Sequence, residues 1–402
     1  MVEAGDAATL EPPEGVVEIA RRLSHRGHDA WVVGGAVRDA LLGRPGLDWD
    51  LATDARPEDV RRIFRRTVPL GIEHGTVGVL AGDGVMYEVT TFRRDIETFG
   101  RHAVVAFADT IDEDLSRRDF TLNAIAWQPL TGELRDPFGG VADLRTGVLR
   151  TVGMPAERFA EDWLRVLRAL RFAGHYGLEI EAETWNALRA ATPELGTLSA
   201  ERVRDELFKV LGKTRPASRT LTLYERSGAL GVLYPELAAT VGLVAGDSPQ
   251  PDAWLRALAA VDALPPARLL VRVAALLHGI GYPGARTRDL RGGWRFTGHE
   301  VVAGPKAEAV MRRLRASNAD VETVAFLVAH QGDLFPPDAP PGMIRRWLLR
   351  VPPERVRDFF RLRIALWRAD PVAGGDRDLA ERWRMAHHVL LDHPPLDIRD
   401  LA

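Results

Sequence analysis

Two regimes of hydrophobic patterning divide the chain. From Trp31 to about Thr151, apolar runs of strand length alternate with glycine turns and brief helical stretches. Residues 31–33 make an apolar run that stops at Gly34-Gly35, residues 85–92 alternate as a strand, and residues 148–152 predict another. From Ala156 onward apolar positions recur at helical spacing and β-branched clusters thin out. Residues 158–176, 182–190, 200–211, 216–227 and 252–263 each predict a helix. The fold class expected is therefore α+β: a mixed head followed by an all-helical remainder. Pro- and Gly-rich punctuation at 245–251 and 336–342 marks candidate boundaries.

A chain of 402 residues exceeds what one core usually holds, so two to four domains are expected. No apolar run approaches the roughly 18 residues of a membrane-spanning helix, so no membrane association is expected. The acidic first fifteen residues do not read as a secretory signal. The sequence has no cysteine, which excludes disulfides, thiolate metal sites and cysteine nucleophiles; a cytoplasmic protein is expected. A net charge of −3 does not advertise a polyanion binder, so any nucleic acid must be met by local patches. Of the 53 basic residues only Lys209, Lys213 and Lys306 are lysines. Genome composition accounts for such a bias, and so does the planar guanidinium fork that suits phosphates and base edges.

Four segments carry candidate chemistry. In residues 31–43, WVVGGAVRDALLG, an apolar strand enters a glycine pair and a short helix with Gly43 as its cap. The glycines let backbone N–H groups approach an anion, and Arg38 lies within reach of the same phosphates, although a plain strand–helix turn fits equally. In Asp48-Trp49-Asp50, strand geometry puts both carboxylates on one face, a natural seat for Mg²⁺ in nucleotidyl transfer. Glu88, on the strand with Met86 and Thr90, is the candidate third carboxylate. Arg117-Arg118-Asp119-Phe120-Thr121-Leu122-Asn123-Ala124 reads either as a helix capped by Asp119 with two exposed arginines, or as an arginine placed on a nucleotide. In Glu161-Asp162-Trp163-Leu164-Arg165-Val166-Leu167-Arg168-Ala169-Leu170-Arg171, a continuous helix would make Asp162 and Arg165 neighbours, with Arg168 and Arg171 extending the ridge. A salt-bridged solvated face fits that spacing. So does base readout: a carboxylate accepts the exocyclic amine of C or A while a guanidinium donates to the adjacent ring nitrogen, a pattern U and G reverse.

Gly-Gly-Ala-Val-Arg-Asp, Asp-x-Asp, Glu-Val-Thr-Thr-Phe-Arg, Arg-Arg-Asp-Phe-Thr-x-Asn-Ala, Asp-Pro-Phe-Gly-Gly and Glu-Asp-x-x-Arg-x-x-Arg occur in this order. Together they resemble the bacterial class II tRNA nucleotidyltransferases, which include CCA-adding enzymes and the related poly(A) polymerases. The resemblance extends from Trp31 to about Leu211. It implies a polymerase-beta-like head over 1–152, a helical neck with the nucleotide-selecting helix over 153–215, and a helical body and tail over 216–402. It further implies Asp48 and Asp50 as metal ligands with Glu88 as third carboxylate, Gly35 and Arg38 on the triphosphate, and Arg118 on the nucleotide. Asp162 and Arg165 would read the base, with Arg168 and Arg171 beside the nucleotide. The implied cofactor is Mg²⁺ and the implied partners are tRNA, CTP and ATP. Residues 201–211 resemble the neck motif.

Full CCA addition is the default; CC-only, A-only or poly(A) addition, or a catalytically dead RNA-binding protein, are the alternatives, and the intact carboxylate set argues against the last. Residues 93–117 resemble the family's flexible loop, slightly short and with Ala103 where a proline often stands. Residues 276–284 resemble an HD-type phosphohydrolase helix within a region 270–335, but Gly279 replaces the diagnostic Asp after His278. A degenerate region, with His299, His330 and Asp370 at other HD-like positions, is therefore expected. Finally, residues 345–368 gather Arg345, Arg346, Arg350, Arg355, Arg357, Arg361, Arg363 and Arg368 against Glu354 and Asp358, with Trp347, Phe359, Phe360 and Trp367 interleaved. Both a solvated helix face and a tRNA backbone patch fit.

Overall fold

The computed structural model describes residues 10–44, 48–71, 75–99, 102–244, 252–288, 294–369 and 378–392. The chain divides into two compact units, Met1–Ala191 and Thr192–Ala402. The division falls inside the segment 153–215 assigned above to a neck.

The first unit is built on β1 (Ala30–Val33), β2 (Asp50–Thr53), β3 (Thr67–Pro69), β4 (Thr76–Leu80), β5 (Met86–Thr91), β8 (Ala126–Trp127) and β9 (Leu134–Arg135), in the order β3-β4-β5-β2-β1-β8-β9. Between them come β6 (Arg93–Phe99) and β7 (His102–Phe107), which form a separate antiparallel hairpin. The helices are α1 (Glu14–Ser24), α2 (Gly35–Leu41), α3 (Pro57–Ile63), α4 (Ile111–Ser116), α5 (Gly140–Thr146), α6 (Pro155–Glu161), α7 (Leu164–Tyr176) and α8 (Ala182–Ala191). The mixed sheet with helices over it is the expected α+β head.

Pairing register assigns the two faces. β1 and β2 are antiparallel with Trp31 opposite Ala52 and Val33 opposite Asp50. These side chains share one face, where Trp31, Val33 and Ala52 join Phe92, Ile111, Leu115 and Ala126 in one buried cluster. Burying a side chain such as Phe92 contributes roughly 1.5–3 kcal/mol. Val32, Leu51 and Val89 point to the opposite face and are fully inaccessible. Apolar residues Val16, Ile19, Ala20 and Leu23, at helical spacing, bury one stripe of α1.

Three expectations are corrected. Residues 93–117, expected as a flexible loop, carry the β6–β7 hairpin and then α4, with Ala103 a strand position opposite Thr98. The strand expected over 148–152 shrinks to β10 (Val148–Leu149), which pairs in parallel with β11 (Glu179–Ile180). The helix expected over 158–176 is broken: α6 ends at Glu161 and α7 begins at Leu164.

Among the described residues the second unit is helical, with two short strands. The helices Ala200–Lys213, Ser218–Ser227 and Ala253–Asp262 match three of the predicted spans to within two residues. In the arginine-rich segment, helices Pro341–Leu348 and Pro353–Ala369 direct Trp347, Phe359 and Phe360 inward. Trp347 and Phe359 pack edge to face with ring centroids 5.4 Å apart, and Phe359 and Phe360 do the same. These aromatics are core, not a stacking surface for bases. Among the described residues no helix is long and apolar enough to cross a membrane.

Candidate active site

The glycine turn sits where β1 ends. Gly34 adopts φ 74°, a left-handed conformation that a side chain would strain, and it caps α2. Gly43 follows the cap residue Leu42, again with positive φ, as the sequence predicts. Against this turn lies Arg118. A Cβ added at Gly34 would stand 3.1 Å from its Nη1, so the turn and the guanidinium are in contact.

The carboxylates gather at the same end of the sheet. β2 and β5 are parallel, with Leu51 opposite Val89. Asp50 and Glu88, each one position earlier, therefore share the face opposite that buried pair. Only Asp50 lies in the strand; Asp48 precedes it, so the pair is not two strand positions as expected. Their proximity shows in Asp50, whose carboxyl is pushed up to about 6. Burial is the main cause, followed by the negative charges of Asp48 and Glu88; the nearby Arg118 opposes them. Among the described residues no three His, Cys, Asp or Glu side chains close into a preformed metal cage. Mg²⁺ does not require one, since it is commonly held by one or two carboxylates together with substrate phosphates. Mutually repelling carboxylates at a half-buried position are the donor set such a cation would relieve.

Arg38 is not poised in solvent. It is buried; Nη1 donates to Asn123 Oδ1 at 2.6 Å and Nε to Asp39 at 3.0 Å. Its guanidinium also lies 5.2 Å from the Phe172 ring centroid and 4.7 Å from that of Tyr176. Asn123 turns its amide to Asp119 Oδ1 at 2.9 Å, and Asp119 Oδ2 accepts from Arg168 Nε at 2.6 Å. A hydrogen-bonded chain thus runs from α2 to α7: Arg38, Asn123, Asp119, Arg168. Asp119 is buried, which works to raise its pKa. The charge of Arg168 and the hydrogen bonds from Asn123 and Arg168 nonetheless hold it below the usual carboxylate range. Asp119 is therefore the centre of this network and not a helix cap, and Arg117 and Arg118 are partly buried instead of exposed.

The base-reading pair looks different from its sequence pattern. Asp162 has an extended backbone, φ −156° and ψ 108°, in the break between α6 and α7. Its Oδ1 accepts from the N–H of Leu164 at 3.0 Å, a local side-chain bond that competes with helix continuation. Arg165 donates instead to Glu161 and, at 2.8 Å, to the carbonyl of Arg158. Arg171 packs over Phe172 with its guanidinium 4.4 Å from the ring centroid. The structure thus brings Gly34, Gly35, Arg38, Arg118, Asp48, Asp50 and Glu88 to one end of the sheet, links Arg168 to them through Asp119 and Asn123, and leaves Asp162 and Arg165 with other partners. Asn123 and the rings of Phe172 and Tyr176 were not singled out from sequence. Asn123 lay inside a noted motif, but nothing local signalled its partner 85 residues away.

In the second unit, His278 ends a helix, is buried, and bonds through Nδ1 to the carbonyl of Ala275 at 2.7 Å. Burial chiefly drives its pKa down to about 4, assisted by the charges of His299, Arg256 and Arg363. A Cβ at Gly279 would stand 3.0 Å from the Tyr282 ring, which fills the space an aspartate would need. His299 stacks on that ring at 4.2 Å and His330 on Phe326 at 4.3 Å; Asp370 lies outside the described residues.

Comparison with known proteins gives the same direction. A family described as "Poly A polymerase head domain" matches residues 30–150, and one described as "Probable RNA and SrmB- binding site of polymerase A" matches 177–240. A CCA-adding enzyme of Anoxybacillus flavithermus is 48% identical over 197 residues, 48% of this chain and 49% of that protein. The chain thus aligns to about half the length of that curated relative. One from Geobacillus thermodenitrificans is 40% identical over 280 residues, 69% of this chain and 66% of the relative. The crystal structure of the Bacillus stearothermophilus CCA-adding enzyme in complex with CTP superposes with a TM-score of 0.72 at 30% identity, covering 97% of this chain and 87% of that one. With that breadth of structural match and the motifs placed at one end of the head sheet, this chain belongs to the tRNA nucleotidyltransferase and poly(A) polymerase family.

Proposed function

We propose that this protein adds C and A nucleotides to the 3′ end of tRNA, using CTP and ATP, by template-independent nucleotidyl transfer. The observation that carries this reading is the placement of half-buried Asp50, with Asp48 and Glu88, beside a glycine turn overlooked by Arg118. In the reaction the tRNA 3′-hydroxyl attacks the α-phosphorus and gives up its proton to solvent, a new phosphodiester bond forms, the bond to the β-phosphate breaks, and pyrophosphate leaves with its electron pair.

Asp48 and Asp50 would hold Mg²⁺, with Glu88 as third carboxylate; the bound cation would lower the hydroxyl's pKa and neutralise charge on the departing pyrophosphate. Gly35 and Arg38 contact the triphosphate, and Arg118, held against the Gly34 turn, contacts the nucleotide. Asp162 and Arg165 select the base once their present local partners are exchanged for it, and Arg168 and Arg171 flank the nucleotide. In this reading residues 1–152 form the catalytic head, 153–215 the neck, and 216–402 the body and tail, with a degenerate 270–335 segment.

The test measures CTP incorporation into tRNA lacking its 3′ terminus, with wild type, Asp48→Ala and Asp50→Ala at matched Mg²⁺. Loss of incorporation in both variants with unchanged circular dichroism is expected. Near-wild-type rates in either variant would remove the site.

A further inference from the structure

We infer that Asp114 is a positioning residue that fixes Arg118 against the Gly34 turn and so prepares the site for the nucleotide triphosphate. The inference rests on the reading of Arg118 as a nucleotide contact.

Asp114 lies in α4 and is 1% exposed, a location where an isolated carboxylate is costly. Four hydrogen bonds offset that cost. Oδ1 accepts from Arg117 Nε at 3.1 Å and Nη2 at 2.8 Å, and from the backbone N–H of Arg93 at 3.3 Å. Oδ2 accepts from Arg118 Nη2 at 3.0 Å. Burial opposes ionisation, but the two guanidiniums hold the carboxyl below its usual range, so it stays charged.

The helix beneath the carboxylate is capped at its start and buried along its inner face. Thr110 and Glu113 form a reciprocal capping box at the start of α4, and Leu115 anchors the helix in the core with no exposed surface. α4 ends at Ser116 with Arg117 as its cap residue, and the side chains of Arg117 and Arg118 reach back to Asp114. Arg118 is then gripped at two ends. Nη2 is on Asp114, and Nη1 is 3.4 Å from the Asn123 carbonyl and against Gly34. An arginine has many rotamers and loses that freedom when it is ordered. Here that loss is incurred on folding and not on ligand binding, which is the physical meaning of preorganisation. The Arg93 N–H places the base of the β6–β7 hairpin on the same carboxylate.

The experiment is a double-mutant cycle in the full-length protein: wild type, Asp114→Asn, Arg118→Ala and the double variant, with CTP affinity measured by calorimetry and KM for CTP and for tRNA by incorporation. Asp114→Asn is expected to weaken CTP roughly tenfold, about 1.4 kcal/mol, and to leave the tRNA KM unchanged. In the Arg118→Ala background the same substitution should have no further effect on CTP. An undiminished Asp114→Asn effect in that background, or no CTP effect at all, overturns the inference. If Arg118→Ala itself leaves CTP binding unchanged, the reading of Arg118 fails instead. Should Asp114→Asn not fold, Asp114→Glu serves. It keeps the charge but displaces the carboxylate by about 1.5 Å; weaker CTP binding in a folded Asp114→Glu supports the inference, and wild-type affinity refutes it.

Discussion

Replacing Asp119 with Asn tests the network that joins the head sheet to α7. The carboxylate accepts three side-chain or backbone donors: Phe120 N–H and Asn123 Nδ2, both at 2.9 Å on Oδ1, and Arg168 Nε at 2.6 Å on Oδ2. An asparagine oxygen can replace Oδ1, but its NH₂ group would then face the Arg168 donors. One charged hydrogen bond is lost, worth about 1.5–3 kcal/mol. Arg168 keeps about a third of its side chain in solvent, so water compensates in part and about 2 kcal/mol is the expected loss. For a unit of this size that lowers the Tm by roughly 4–8 °C. The effect has a pH signature. Because the fold holds the Asp119 carboxyl below its ordinary value, its stabilisation is complete above the unfolded value of about 4 and disappears as pH falls through the lower folded value. Thermal unfolding followed by circular dichroism should therefore show a constant gap between wild type and Asp119→Asn from pH 8 to 5, narrowing in more acidic buffer. A gap that persists undiminished in acid, or an unchanged Tm at pH 7, would show that the Asp119 charge does not stabilise the fold through Arg168.

Gly34→Ala should destabilise the protein by about 1–2 kcal/mol through its positive φ and, by crowding Arg118 Nη1, raise the KM for CTP; urea unfolding and incorporation kinetics check both. Asp162→Ala and Arg165→Ala should each lower kcat/KM for CTP and ATP and narrow their advantage over UTP and GTP, since a bidentate base contact is worth about 1–3 kcal/mol; equal losses for all four nucleotides would make the pair structural. Arg345, Arg346 and Arg357 are exposed, whereas Arg361 bonds Asp358 at 2.7 Å. Reversing those three charges should raise the tRNA KM and reduce the log–log salt slope by roughly 0.7–0.9 per lost phosphate contact, and an unmoved KM and slope would leave the segment a solvated face.

What could be read from sequence was local. The Trp31–Val33 run, the Gly34 turn and Gly43 announce β1 and α2 because strand burial and positive φ restrict which residues serve there. Asp48, Asp50 and Glu88 were legible as a set, but parallel pairing of β2 with β5, which brings Glu88 beside Asp50, is set by tertiary packing. The Asp114–Arg118 pair has i,i+4 spacing and was open to reading. The Asp119–Arg168 bond spans 49 residues and was not. The break at Asp162 was missed because apolar periodicity runs through it, while the cause is one side chain capping Leu164. In the arginine-rich segment the same periodicity that fits a basic surface also buries Trp347, Phe359 and Phe360, and only the packing decides.

What is added, and where addition stops, follows directly from product length. The protein is incubated with tRNA ending before the CCA, after the first C, and after CC, with CTP and ATP separately and together, and product lengths are resolved on a denaturing gel. Two additions are expected with CTP alone on the first substrate, one on the second, one addition with ATP alone on the third, and all three substrates should converge on a single CCA-ended length with both nucleotides. Long ATP-only tails on any substrate, or no extension of any, would contradict CCA addition.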